Sequence, residues 1–87
     1  MDFITEKMSA MEIKVLGTGC KKCKTLHERV RRVVDDNNIE ATVFYEQDLF
    51  KIMVYNIIAT PALVINEKVV SKGCLLSEKE ILGFIKQ

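Results

Sequence analysis

Cys20 and Cys23 stand three positions apart in the stretch TGCKKCKTL, with Lys21 and Lys22 between them and Lys24 directly after. Two thiols at this spacing can close a disulfide, chelate a soft metal, or serve as two small buried hydrophobes. Their surroundings favour chemistry. The residues that follow read as a helix, and a helix start offers unpaired backbone N–H groups and the positive end of the helix dipole. The lysines raise the local positive potential further, and both effects favour thiolate, the species that attacks disulfides or binds metal. Cys20, first in the helix, is expected to be the attacking nucleophile. Cys23, one turn further in and partly covered, is expected to be the resolving thiol, with Lys21 and Lys22 stabilising the thiolate.

Other reactive side chains are expected to be bland. Cys74 stands alone in SKGCLLS and is assigned to packing or to no role. His27 follows Cys23 by four positions, but no second cysteine pair completes a structural zinc set, so it reads as a helix-surface residue and no metal site is assigned. Six of the thirteen basic residues lie between Lys21 and Arg32, opposed there only by Glu28. The arginines among them read as a solvated face, and the lysines as a basic patch around the thiols.

The elements that must position this dithiol fit one small domain. A chain of 87 residues buries only about 60 to 65% of the surface its unfolded form exposes, so one core must carry it. A net charge of +1 gives no global footprint for nucleic acid. No apolar run is long enough to span a bilayer. The opening MDFITEKMSAM reads as neither a secretory signal nor a transit peptide, and three cysteines suit a reducing interior, so the expected location is cytoplasmic.

Residues 1–10 read as a loosely held, flexible N-terminal tail, and residues 11–87 as the domain. EIKVLG (12–17) reads as a strand with Ile13 and Val15 on one face and Lys14 and Leu16 on the other, ended by Gly17 and Gly19. The cysteines open a helix whose Leu26, Val30, Val33 and Val34 form a buried stripe, ending near Asn37-Asn38. ATVFYE (41–46) reads as a second strand, parallel to the first, and Asp48 caps a short helix over residues 49–55. PALVIN (61–66), a turn at Glu67-Lys68 and VVS make a β-hairpin. Ser77-Glu78-Lys79-Glu80 is a capping box for a last helix that packs Ile81, Leu82 and Ile85 on the sheet. The fold class is therefore α/β: a four-stranded mixed sheet with three helices, β-α-β-α-β-β-α, with helices on both faces and the dithiol at the carboxyl end of the first strand.

CKKC at a helix start, ATPALVIN, EKVVSKG as a return strand and LSEKEIL opening the last helix, in this order, resemble the small thioredoxin/glutaredoxin-like redox-disulfide proteins. The resemblance covers Met11 to Lys86 and implies a thioredoxin-like fold. It also implies that Pro61 follows a cis bond and faces the dithiol, and that Thr60 before it offers backbone groups to a substrate docking as an added strand. The chain departs from thioredoxins proper in several places. Lys21-Lys22 replace Gly-Pro, there is no tryptophan, and no carboxylate lies between Glu12 and Cys20. Asn56 stands where the small family often has glycine. Lys72-Gly73-Cys74 departs from the Gly-Gly-acidic run that holds glutathione in glutaredoxins, which favours protein dithiol exchange.

The expected function is thus a thiol-disulfide oxidoreductase that reduces protein disulfides through Cys20 and Cys23. It needs no cofactor beyond that redox-active disulfide. Its partners would be a disulfide-containing protein substrate and a reductase as electron donor, with no nucleic acid or membrane, and the chain itself a monomer. The alternative is a copper or zinc carrier using the same two cysteines, because heavy-metal-associated domains also place G-x-x-C-x-x-C between a strand and a helix. Those domains run β-α-β-β-α-β, and here a helical segment separates the second and third strands.

Overall fold

The computed structural model describes residues 11–57 and 59–86. The tail expected at residues 1–10 lies outside them. Seven elements follow in the anticipated order: β1 (Met11–Leu16), α1 (Lys21–Asp36), β2 (Ala41–Glu46), α2 (Leu49–Met53), β3 (Ala62–Ile65), β4 (Lys68–Lys72) and α3 (Glu78–Ile85). They build a four-stranded sheet in the order β2-β1-β3-β4, with β1 and β2 parallel and the other pairs antiparallel.

Strand alternation divides the core in two. Ile13 and Val15 of β1 and Leu63 and Ile65 of β3 face the larger cluster, where they meet Leu26, Val30, Val33 and Val34 of α1 and Ile81 and Ile85 of α3. Leu16, Ala62 and Val64 face the other way, onto Ile52 of α2 and Ile57. Helices therefore cover both faces, two on one side and a single short one on the other. The two larger helices are also tied edge to edge: Arg29 donates to the Leu76 carbonyl at 2.8 Å, and Arg32 pairs with Glu78 at 2.8 Å. These two arginines, expected on a solvated face, instead hold α1 against the start of α3.

Element ends follow local chemistry. Ser77 and Glu80 form the expected capping box, and Asp48 accepts from the Phe50 N–H. α2 is shorter than expected and gives way to a turn over residues 54–56. There Asn56 takes φ 58°, the left-handed region that glycine enters without cost and asparagine tolerates. The hairpin turn lies at Asn66-Glu67, one residue earlier than the sequence suggested. Ile65 pairs with Lys68, so only two residues are left for the loop, and both are left-handed (φ 50° and 67°), as the type I′ connection of twisted strands requires. Glu67 is held there by Lys14 and Tyr55, which donate to its carboxylate at 2.7 and 2.9 Å. That pairing holds Glu67 ionised to lower pH than an ordinary carboxyl, while Lys14, hydrogen-bonded to Glu67 and Tyr55, is held charged well above the usual lysine range.

Candidate active site

β1 ends at Leu16, and Gly17, Thr18 and Gly19 carry the chain over to the helix. Gly19 turns the chain with φ 94°. Cys20 is the N-cap of α1, in extended conformation (φ −68°, ψ 166°), and its sulfur accepts the Cys23 N–H at 3.2 Å. One of the unpaired donors of the helix start is thus aimed at Cys20 Sγ. Cys20 and Cys23 are joined as a disulfide with Cα atoms 5.0 Å apart. Their environments differ sharply: Cys20 is exposed, whereas Cys23 is 0% exposed. Lys21 and Lys22 open the helix as exposed residues directly after Cys20.

Gly17 has a role that the sequence reading missed. A Cβ at this position would sit 2.7 Å from Cys23 Cβ and overlap its Sγ as well, so only a residue without a side chain lets the strand end lie against the second thiol. The sequence cue for it is a glycine directly after the strand, a position that also suits strand termination.

The antiparallel register of β1 and β3 pairs Leu16 with Ala62. Continued one step, it sets Gly17, and with it Cys23, opposite Pro61. The Thr60-Pro61 bond is cis. Pro61 is buried, its carbonyl accepts the Gly73 N–H at 2.8 Å, and Thr60 is half-buried beside it. The sheet thus brings Cys20, Cys23, Thr60 and Pro61 to one end, with Gly17 and Gly73 flanking the proline.

A thioredoxin domain family matches residues 11–86 of the chain. The chain belongs to this thioredoxin family. It is also similar to a thioredoxin from Methanocaldococcus jannaschii, 30% identical over 74 residues that span 85% of each chain. Family, dithiol spacing and element order together make this a thioredoxin-like fold of the thiol-disulfide oxidoreductase class. The metal-carrier alternative gains no support, because its β-α-β-β-α-β order is not the order of this thioredoxin fold.

Of the two side chains set apart from the dithiol, Cys74 fits one of its two expected readings and His27 differs from its own. Cys74 follows Gly73 and is a free, exposed cysteine, so packing does not account for it. His27 is half-buried and stacks on Tyr45 with ring centroids 4.6 Å apart. Burial, reinforced by the Arg31 charge, pulls the His27 imidazole below its ordinary pKa of 6.5.

Proposed function

We propose that this thioredoxin-family protein reduces disulfide bonds in other proteins, with Cys20 as nucleophile and Cys23 as resolving thiol. One observation carries the division of labour: Cys20 is exposed at the helix cap with a backbone N–H aimed at its sulfur, while Cys23 is fully covered behind it. The capping N–H, the helix dipole and the charges of Lys21 and Lys22 all favour thiolate at Cys20.

In the reduced protein, Cys20 thiolate attacks one sulfur of a substrate disulfide; a Cys20–substrate disulfide forms and the other substrate sulfur leaves as thiolate. Cys23 then passes its proton to the substrate thiolate just released and attacks Cys20 Sγ. The mixed disulfide breaks, the second substrate sulfur leaves as thiolate, and the Cys20–Cys23 disulfide remains. The substrate has gained two electrons, which a reductase returns to the dithiol in the next cycle, and no further cofactor takes part. The substrate segment lies extended beside Thr60-Pro61 and uses Thr60 backbone groups as a strand would. The cytoplasm, where thiols are kept reduced, suits this direction of flow.

The test is a disulfide-reduction assay on insulin. Cys20→Ser is expected to abolish reduction without trapping substrate, and Cys23→Ser to accumulate a mixed disulfide visible on a non-reducing gel; a mixed disulfide trapped by Cys20→Ser and not by Cys23→Ser would refute the assignment. Titration in redox buffers is expected to give a potential above about −300 mV, since lower values belong to structural disulfides.

A further inference from the structure

An exposed sulfur that attacks disulfides must meet the protein segment that carries the disulfide, so the charges around Cys20 bear on which segments reach it. Lys21 and Lys22 follow Cys20 directly. Lys24, whose N–H donates to the Cys20 carbonyl at 3.0 Å, lies one helical turn on. Lys72 comes to the same end of the sheet from another element. It ends β4 opposite Ala62, and Gly73 after it donates to the Pro61 carbonyl. All four lysines are exposed, and among the described residues no carboxylate pairs with any of them.

The other charges nearby are engaged elsewhere. Glu46 accepts the Asp48 N–H at 3.0 Å and lies 4.0 Å from Lys51, while Asp48 accepts the Phe50 N–H at 2.9 Å. Arg29 and Arg32, further along α1, hold α3. Nor does helix stability explain the charges of α1. The helix dipole favours acids in the first turn and bases in the last, and α3 follows that preference with Glu78 and Glu80 in its first turn. α1 is built the other way round. It has no acid in its first turn and no base in its last, opens on Lys21 and Lys22, and closes on Asp35 and Asp36. A helix that sets its charges against its own dipole marks a local rule broken where the site is.

We propose that this surface selects disulfide substrates by charge, taking those whose reacting cysteine lies in an acidic segment, with Asp or Glu within a few residues of it. This selection presupposes the disulfide reduction proposed above and names its substrate class. As such a segment docks beside Thr60-Pro61, its carboxylates meet Lys72 on one side and the lysines of the first helical turn on the other. Opposite charge speeds the encounter, and a basic segment is repelled. At an ionic strength of about 0.1 M the field of a surface charge reaches about 10 Å, farther than one helical turn, so Lys24 acts on a segment held at Cys20. The net charge of +1 makes this a property of one end of the molecule rather than of the whole.

Three synthetic peptides test the selection, each with one intramolecular disulfide and alike except for Glu, Gln or Lys on both sides of each cysteine. The rate constant for reduction of each by the reduced protein is divided by that for dithiothreitol, a dithiol without charged side chains, so that the peptide's own reactivity cancels. At about 0.02 M salt the normalised rate should be roughly tenfold higher for the Glu peptide than for the Lys peptide, with the Gln peptide between them. Raising salt to about 0.5 M should close most of that gap. Lys24→Glu combined with Lys72→Glu should narrow or reverse it, with folding checked by thermal melting. Equal normalised rates, a faster Lys peptide, or a preference that survives either high salt or the substitutions overturns charge selection and leaves disulfide reduction standing. If dithiothreitol reduces all three peptides and the protein none, disulfide reduction falls and the selection with it.

Discussion

Cys23 packs against the backbone of Gly17 so closely that a single methyl group has no room. Gly17→Ala must push the second thiol, and the helix start that carries it, away from the strand end. Overpacking of this kind costs about 1–3 kcal/mol. The variant is expected to melt lower than the parent and, on the proposed mechanism, to lose most disulfide reduction, because resolution there needs Cys23 beside Cys20. A variant with parental melting and turnover would show that the helix slides without penalty. His27 gives a pH prediction. Its folded pKa is depressed, chiefly by burial, so the unfolded chain binds the proton more readily and low pH favours unfolding. The stability at stake is fully present above the ordinary value of 6.5 and is lost as pH falls through the lower folded value. Urea midpoints measured in steps below pH 6.5 should decline, and His27→Gln should flatten that decline; an unchanged slope would assign it to other groups.

At the scale of elements, α3 depends on its first turn. Ser77 accepts the Glu80 N–H at 3.2 Å, and Glu80 accepts the Ser77 N–H at 2.9 Å, so two donors otherwise left open at the helix start are satisfied reciprocally. Ser77→Ala removes half of this box and should cost about 1 kcal/mol. For a domain of this size that corresponds to a fall in Tm of about 4–8 °C, read by calorimetry. The capping box is remote from the dithiol in sequence and lies on the helix that Arg29 and Arg32 fasten to α1. Disulfide reduction at temperatures well below Tm should therefore be unchanged. A loss of activity without loss of stability would mean that α3 also acts on the site.

Across the whole molecule, the two faces of the sheet are unequally insulated. Ile13 lies in the cluster shared by β1, β3, α1 and α3, whereas Ile52 anchors α2 to a smaller cluster under a single short helix. Ile13→Ala is expected to lower global stability by about 2–5 kcal/mol. Ile52→Ala should cost less, because a five-residue helix can settle into the space left behind. Denaturant titration measures the first effect. Native-state hydrogen exchange distinguishes the second, with faster exchange confined to α2 and the turn after it. Equal global losses would show that the two clusters unfold as one unit.

Periodicity and end signals carried the element order into the sequence in plain view. The stripe of Leu26, Val30, Val33 and Val34, the alternation of Ile13 and Val15 against Lys14 and Leu16, and the Ser77 capping box each state a local geometry that tertiary contacts did not alter. The CKKC spacing likewise determined that the two thiols would meet at a helix start, since three residues in a helix span little more than one side chain's reach. Only the fold decided what depends on register and close approach. The turn moved to Asn66-Glu67 because strand pairing leaves room for two residues there, Gly17 became a contact surface for Cys23, and Thr60-Pro61 came to the same end of the sheet as the dithiol through the pairing of Leu16 with Ala62. Distances between segments far apart in the chain are set by the sheet that joins them, and no local pattern of side chains encodes them.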